Sequence, residues 1–546
     1  MAFEDKVIYQ IYPKSFYDSN NDGLGDIKGI TSKLDYLKYL GVDLIWMNPM
    51  FISPQNDNGY DVSDYYNIDP TFGTMEDLEE LIQEAKKRNM GIMFDMVFNH
   101  TSTNHIWFKK ALEGDPYYKD FYFFKKSIDG ALPTNWESKF GGQAWEYVEK
   151  FDEYYLHLFD KTQADLNWEN PHVREELAKV LNYWIEKGIK GFRFDVINLI
   201  SKDSFENDYE GVGKRFYTDG KHVNEYLREL NQKTFGKYDD IITVGEMSAT
   251  TIENCASYTN PKNKELNMTF NFHHLKVDYK EKEKWTVMPF DFKELTSIFH
   301  SWQIGMQEKG GWNALFWNCH DQPRSVSRFG NDDQYHKESA KMLATAIHLQ
   351  RGTPYVYQGE EIGMTNAYFN DIHDYRDVES INYYHILKEQ GINENEILTI
   401  LKSKSRDNAR TPMQWTKEGG FSSHEPWIKM NPNCKQFNVE ESIKDPGSIL
   451  HYYRKLIQLR KEYPIISLGK YEPYLEENKT IFAFKRKYED EEMIVLNNFF
   501  STESKVFIND IDSYEILLSN YDRCEKQKNL LLHPYESIVL YRKNKR

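Results

Sequence analysis

Short apolar runs that end on an acid, an imidazole or a guanidinium are the feature of this chain that could do chemistry. One run closes on Asp95, Asn99 and His100, a second on Arg193 and Asp195, a third on Glu246 and a fourth on His320 and Asp321. A single Asp after an apolar strand ordinarily caps or turns the chain. Four such ends in succession form a set of groups that move protons and hold polar ligands. Arg193 and Asp195 lie two residues apart, and in a strand that spacing puts both side chains on one side. The guanidinium should therefore keep the Asp195 carboxylate ionised.

Residues of this kind need strands to carry them. Apolar, β-branched or aromatic runs at residues 7–12, 42–47, 91–98, 191–195, 241–246, 268–272, 314–317 and 354–358 read as buried strands. Amphipathic stretches at 75–88, 173–187, 223–233 and 338–349 read as helices between them. Eight strands alternating with helices predict an α/β protein, a (β/α)8 TIM barrel whose strand C-termini face the active site. Residues 101–171, rich in Tyr, Trp and Phe, interrupt this alternation after the third strand, and a βα loop of that length reads as an inserted subdomain. Late in the chain the pattern turns to short alternating strands at 481–486, 493–497 and 537–541. The expected division is a barrel over residues 1–100 and 172–467, an insert over 101–171, and a C-terminal antiparallel β-sandwich domain over 468–546.

With 546 residues the chain is too long for one ordinary domain. Its 12 Trp, 38 Tyr and 33 Phe lean toward carbohydrate, because flat aromatic faces stack on sugar rings. The formal charge of −17 argues against a nucleic-acid partner, since phosphate backbones are held by clustered Lys and Arg. Cys255, Cys319, Cys434 and Cys524 show no metal-site spacing and fit reduced thiols. No secretory leader and no membrane-spanning stretch is legible, so a soluble cytoplasmic protein is expected, acting as a monomer on a small molecule.

Taken together, the four strand ends resemble the short conserved regions of the α-amylase superfamily, in that family's order and spacing, and the resemblance extends over essentially the whole chain. It implies that Asp195 is the nucleophile and Glu246 the general acid/base of a retaining glycosidase, with Asp321 as a third, transition-state-stabilising carboxylate. It implies further that Asp57 and Tyr60, in the segment Asp57 to Tyr60, hold and stack the terminal glucose. His100 and His320 would bind hydroxyls beside Arg193, and Phe140 would belong to the same sugar pocket. Arg410, in the segment RDNARTPMQW at 406–415, matches the arginine that pairs with the Asp57 equivalent in exo-acting members. Asp18, Asn20, Asp22 and Asp26, with the Leu24 carbonyl, match a loop that carries a structural Ca2+ in the family's glucosidases. One departure is local: the order Asn318-Cys319 before His320 is reversed relative to the nearest group.

Val196 after the nucleophile is similar to members acting on α-1,6 or trehalose-type linkages. The segments TNWESKFGG at 134–142, TQADLNWEN at 162–170, FYTDG at 216–220 and FNFHHLKVDY at 270–279 resemble members that hydrolyse α,α-trehalose 6-phosphate more than those that act on isomaltose-type ends. In the last segment, His273 and Lys276 stand where the α-1,6-acting members carry acids. A 6-phosphate, with nearly two negative charges, asks for such donors. Arg215 and Lys202 are further, weaker candidates for that phosphate. The expected substrate is thus a phosphorylated disaccharide, with no organic cofactor; hydrolysis of isomaltose-type oligosaccharides is the alternative.

Overall fold

The structure is a computed structural model that describes residues 3–127, 129–523 and 526–543; Cys524 lies outside them. Eight strands coincide with the eight apolar runs: β1 (Ile8–Ile11), β2 (Leu44–Met47), β3 (Gly91–Met96), β4 (Gly191–Phe194), β5 (Ile242–Glu246), β6 (Met268–Phe270), β7 (Ala314–Leu315) and β8 (Thr353–Tyr357). Their residues are buried almost throughout, as expected for parallel strands covered on both faces. Hydrogen bonding orders them β6-β5-β4-β3-β2-β1-β8-β7 in one sheet, and the pairs β6–β5, β5–β4, β4–β3, β1–β8 and β8–β7 run parallel.

Helices occupy the intervals: α1 (Met75–Lys87), α2 (Pro171–Glu186), α3 (Val223–Lys233), α4 (Phe292–Glu308), α5 (His336–His348) and α6 (Ile449–Glu462). Their starts follow local chemistry. Thr74 and Asp77 form a capping box on α1, while Asn170 accepts from the His172 amide and Pro171 opens α2. This alternation is the (β/α)8 architecture.

The chain falls into two compact units. The first comprises Trp46–Phe272 and Lys309–Gly311. It carries β3 to β6 and the aromatic stretch after β3. There, Phe124–Lys125, Glu153–Leu156 and Trp145–Val148 make a three-stranded sheet, and Gln163–Asp165 pairs antiparallel with His100–Ser102. Trp136, Trp145, Leu158 and Tyr217 share one buried apolar cluster there.

The second unit is the described part of Ala2–Ile45, His273–Glu308 and Trp312–Arg546, and includes β1, β7 and β8. Its tail holds β9 (Lys470–Tyr474), β10 (Ile481–Tyr488), β11 (Glu491–Asn498), β12 (Ser504–Phe507), β13 (Glu515–Ser519), β14 (Asn529–Leu532) and β15 (Ser537–Lys543). The order β9-β10-β11-β15-β13 forms an antiparallel sheet, and β12 pairs with β14 in a second. Alternate residues such as Ile494, Leu496, Val506, Leu532 and Leu540 share one core.

Candidate active site

Strand register builds the first half of the site. Arg193 on β4 lies level with Asp95 on β3, and Asp195 follows two residues later on the same face. The Arg193 guanidinium is buried; its Nη1 donates to Asp95 Oδ1 and to Asp195 Oδ1, both at 2.7 Å, and its Nη2 to Glu246 Oε2 at the end of β5. One cation thus gathers three carboxylates. Trp46 and Tyr60 flank it with ring centroids 5.2 and 5.8 Å from the guanidinium carbon.

Asp95 also accepts from Tyr60 Oη at 2.8 Å and from Trp46 Nε1 at 3.1 Å. Burial pushes its carboxyl up, to about 7, against the pull of Arg193. Directly after Asp195, Val196 sits in the left-handed region at φ 35 and ψ 40. A β-branched residue there is strained, as is common where a reactive side chain must be aimed.

Of the residues expected to serve the sugar, Asp57, Tyr60, His100 and Phe140 lie in this unit. Gly59, at φ +100, turns the segment where a Cβ would stand 2.8 Å from the Pro49 carbonyl, so Tyr60 can reach Asp95. Gln163 Nε2 donates to Asp57 Oδ2 at 3.0 Å and to the Tyr60 carbonyl at 3.2 Å, and lies 3.2 Å from His100 Nε2. Burial pulls the His100 imidazole below its ordinary value. Phe140 packs edge-on against Phe159, which lies 5.1 Å from the His100 ring.

Lys202 does not fit the phosphate role. Its Nζ is buried and committed to Asp165 Oδ2 at 2.8 Å, Asn99 Oδ1 at 3.0 Å and the Leu199 carbonyl at 2.7 Å. A buried ammonium needs these partners to offset its desolvation, so none of its protons is left for a ligand. Arg215 is half-exposed and pairs with Asp208 and Glu210 at 3.2 and 3.1 Å.

The second unit holds His320 and Asp321. Asp321 Oδ1 takes Arg406 Nη1 at 3.1 Å and Arg410 Nη2 at 3.0 Å, while Oδ2 faces His320 Nε2 at 3.0 Å. Burial would raise its pKa, but His320 and the two arginines hold the carboxyl well below the usual range. Within this unit the carboxylates that Arg410 meets are Asp321 and, at 3.6 Å, Asp377, which is itself clamped by Arg406 at 2.6 Å. Asn318 closes the turn that carries His320 and Asp321: it accepts from the Ser325 amide at 2.7 Å and donates to Ser325 Oγ at 2.9 Å.

His273 begins a 3-10 turn against Trp302, and Lys276 follows it, exposed. Asp278 bolts this turn in place, buried between Arg328 and Lys404, both at 2.8 Å. In the loop at 18–26, Asp18 accepts from the Asn20, Asn21 and Gly23 amides, Asn20 from Asp22, and Asp22 from Leu24, while Asp26 caps the following helix. These hydrogen bonds tie the loop together through its own side-chain oxygens. No cluster of three or more His, Cys, Asp or Glu side chains poised for a metal occurs among the described residues.

Several members of these groups were not legible beforehand. Gln163, Asp377 and Arg406 enter through long-range pairing. Asp95 was already among the strand-end groups named from the sequence, and strand register sets it opposite Arg193.

A (β/α)8 fold whose strand ends bring carboxylates together on a buried guanidinium defines a glycoside hydrolase of the barrel class. The model of the family described as Alpha amylase, catalytic domain, matches residues 10–469, and that of the Alpha-amylase SusG C-terminal domain matches 481–539. The chain belongs to the α-amylase family. It is 55% identical over 543 residues to the trehalose-6-phosphate hydrolase of Bacillus subtilis (strain 168), covering 98% of this chain and 97% of the relative. To the oligo-1,6-glucosidase of Bacillus cereus it is 48% identical over 551 residues, covering 98% of each. The crystal structure of Bacillus licheniformis trehalose-6-phosphate hydrolase superposes with a TM-score of 0.96 at 54% identity, covering 99% of this chain and 100% of that one.

Proposed function

We propose that this enzyme hydrolyses α,α-trehalose 6-phosphate to glucose and glucose 6-phosphate with retention of configuration. The observation that carries the chemistry is the single buried guanidinium of Arg193 shared by Asp95, Asp195 and Glu246. Arg193 holds Asp195 Oδ1, which orients the other oxygen to attack the anomeric carbon as the glycosidic bond breaks. Glu246 gives its proton to the leaving oxygen. It then takes one from the water that opens the glucosyl ester, restoring Asp195 as a carboxylate. Asp321, ionised beside its arginines, stabilises the positive charge that develops on the sugar. Asp57, Tyr60, His100, Phe140, His320 and Arg410 serve the glucose, which enters end-on.

Support for the phosphorylated substrate comes from the relatives with that printed activity and from His273 and Lys276 on one turn. The buried free thiols Cys255, Cys319 and Cys434 suit a reducing cytosol. Calcium would be held by Asp18, Asn20, Asp22, Asp26 and the Leu24 carbonyl, clipping the loop without entering the reaction. The test is glucose release from trehalose 6-phosphate beside isomaltose. Preference for isomaltose would favour the oligo-1,6-glucosidase activity carried by relatives at 48% identity.

A further inference from the structure

Gln10 is a fully buried primary amide in the middle of β1, where an apolar residue would cost nothing. Its backbone carbonyl accepts from the Gln358 amide at 3.0 Å, as a barrel strand requires. Its side chain does something else: Nε2 stands 2.9 Å from His320 Nδ1.

An amide NH2 can only donate, so Nδ1 of His320 must be the acceptor. The proton of the neutral imidazole is then on Nε2, the nitrogen that faces Asp321 Oδ2 at 3.0 Å. The groups around the ring hold it in place. Tyr12 stacks on it with centroids 6.1 Å apart and 19° between planes, and Arg410 Nε donates to the His320 carbonyl at 2.9 Å. Arg406 and Arg410 occupy the other oxygen of Asp321, leaving Oδ2 to the imidazole.

We propose that Gln10 is a positioning residue that fixes His320 as the Nε2–H tautomer and thereby points that proton toward the side of Asp321. The proposal rests on Asp321 being the third carboxylate of the glucosidase described above. Gln10 acts through an imidazole 310 residues away in the chain.

Two measurements test it. In histidine-15N-labelled enzyme, with His320 assigned by its loss in His320→Asn, Nδ1 should show the unprotonated shift at neutral pH. A protonated Nδ1 would overturn the proposal. Gln10→Met preserves length and removes the donor, and should lower kcat on an aryl α-glucoside by about ten-fold or more with a smaller change in KM. Gln10→Glu, which can only accept once ionised, should draw a second proton onto His320 and displace the pH profile of kcat. Wild-type kcat and pH profile in folded Gln10→Met would sink the idea. The aryl glucoside serves whichever disaccharide the enzyme prefers, and the tautomer is read without any substrate.

Discussion

Arg193 Nη1 lies 2.7 Å from Asp195 Oδ1, two residues along the same strand, and holds that carboxylate from within the barrel wall. Because this contact is local, the nucleophile assignment can be tested without disturbing the fold. Asp195→Asn keeps the shape and removes the charge, so kcat should fall roughly a thousand-fold or more while the melting temperature stays close to wild type. Substantial activity in pure, folded Asp195→Asn would reassign the nucleophile.

Glu246→Gln should be nearly inactive on a natural disaccharide, whose leaving oxygen needs a proton. On an aryl glucoside with an acidic phenol the loss should be much smaller, because the leaving group departs unaided. Parallel rate measurements on the two substrates check this. Equal losses would remove Glu246 from the acid/base role.

Lys276, exposed on the turn that His273 begins, is the candidate reader of the phosphate. Lys276→Ala should lower kcat/KM for trehalose 6-phosphate by roughly ten- to two-hundred-fold, the equivalent of about 1.5–3 kcal/mol for a charge-assisted hydrogen bond. Unphosphorylated trehalose should be scarcely affected. A loss of the same size on both sugars would make Lys276 a shaping residue instead.

The Asp278 carboxyl is held below its ordinary value; burial opposes this, but Arg328 and Lys404 prevail. A depressed native pKa gives stability that is full above the unfolded value near about 4 and is lost as pH falls through the native one. Asp278→Asn should therefore cost about 3 kcal/mol at neutral pH by leaving two buried cations short of a partner. The gap to wild type should narrow as pH drops toward 3. Denaturant melts of the two proteins across that range give the comparison, and a pH-independent gap would mean that the loss is one of packing.

If calcium clips the 18–26 loop, a chelator should lower the melting temperature, and added calcium should restore it, with little change in kcat of the folded enzyme. A melting temperature indifferent to both would leave the loop to the hydrogen bonds it already makes, such as Ser422 Oγ to Asp18 Oδ2 at 2.5 Å.

The barrel strands and the positions of Asp195, Glu246 and Asp321 were legible in the sequence for a physical reason. A buried parallel strand is a short apolar run, and a polar residue at its end interrupts that run visibly. Arg193 could be placed beside Asp195 because a period of two is a local property. Partnerships across the chain were decided by the tertiary structure. Lys202 reads as a free cation in sequence, yet strand pairing puts Asp165 opposite His100 and delivers it to Lys202 as a buried counter-charge. Gln10 reads as one more strand residue, and only the fold sets its amide against His320. Hydrogen bonds and ion pairs act over a few ångström, and which residues come that close depends on strand register and packing rather than on spacing along the chain.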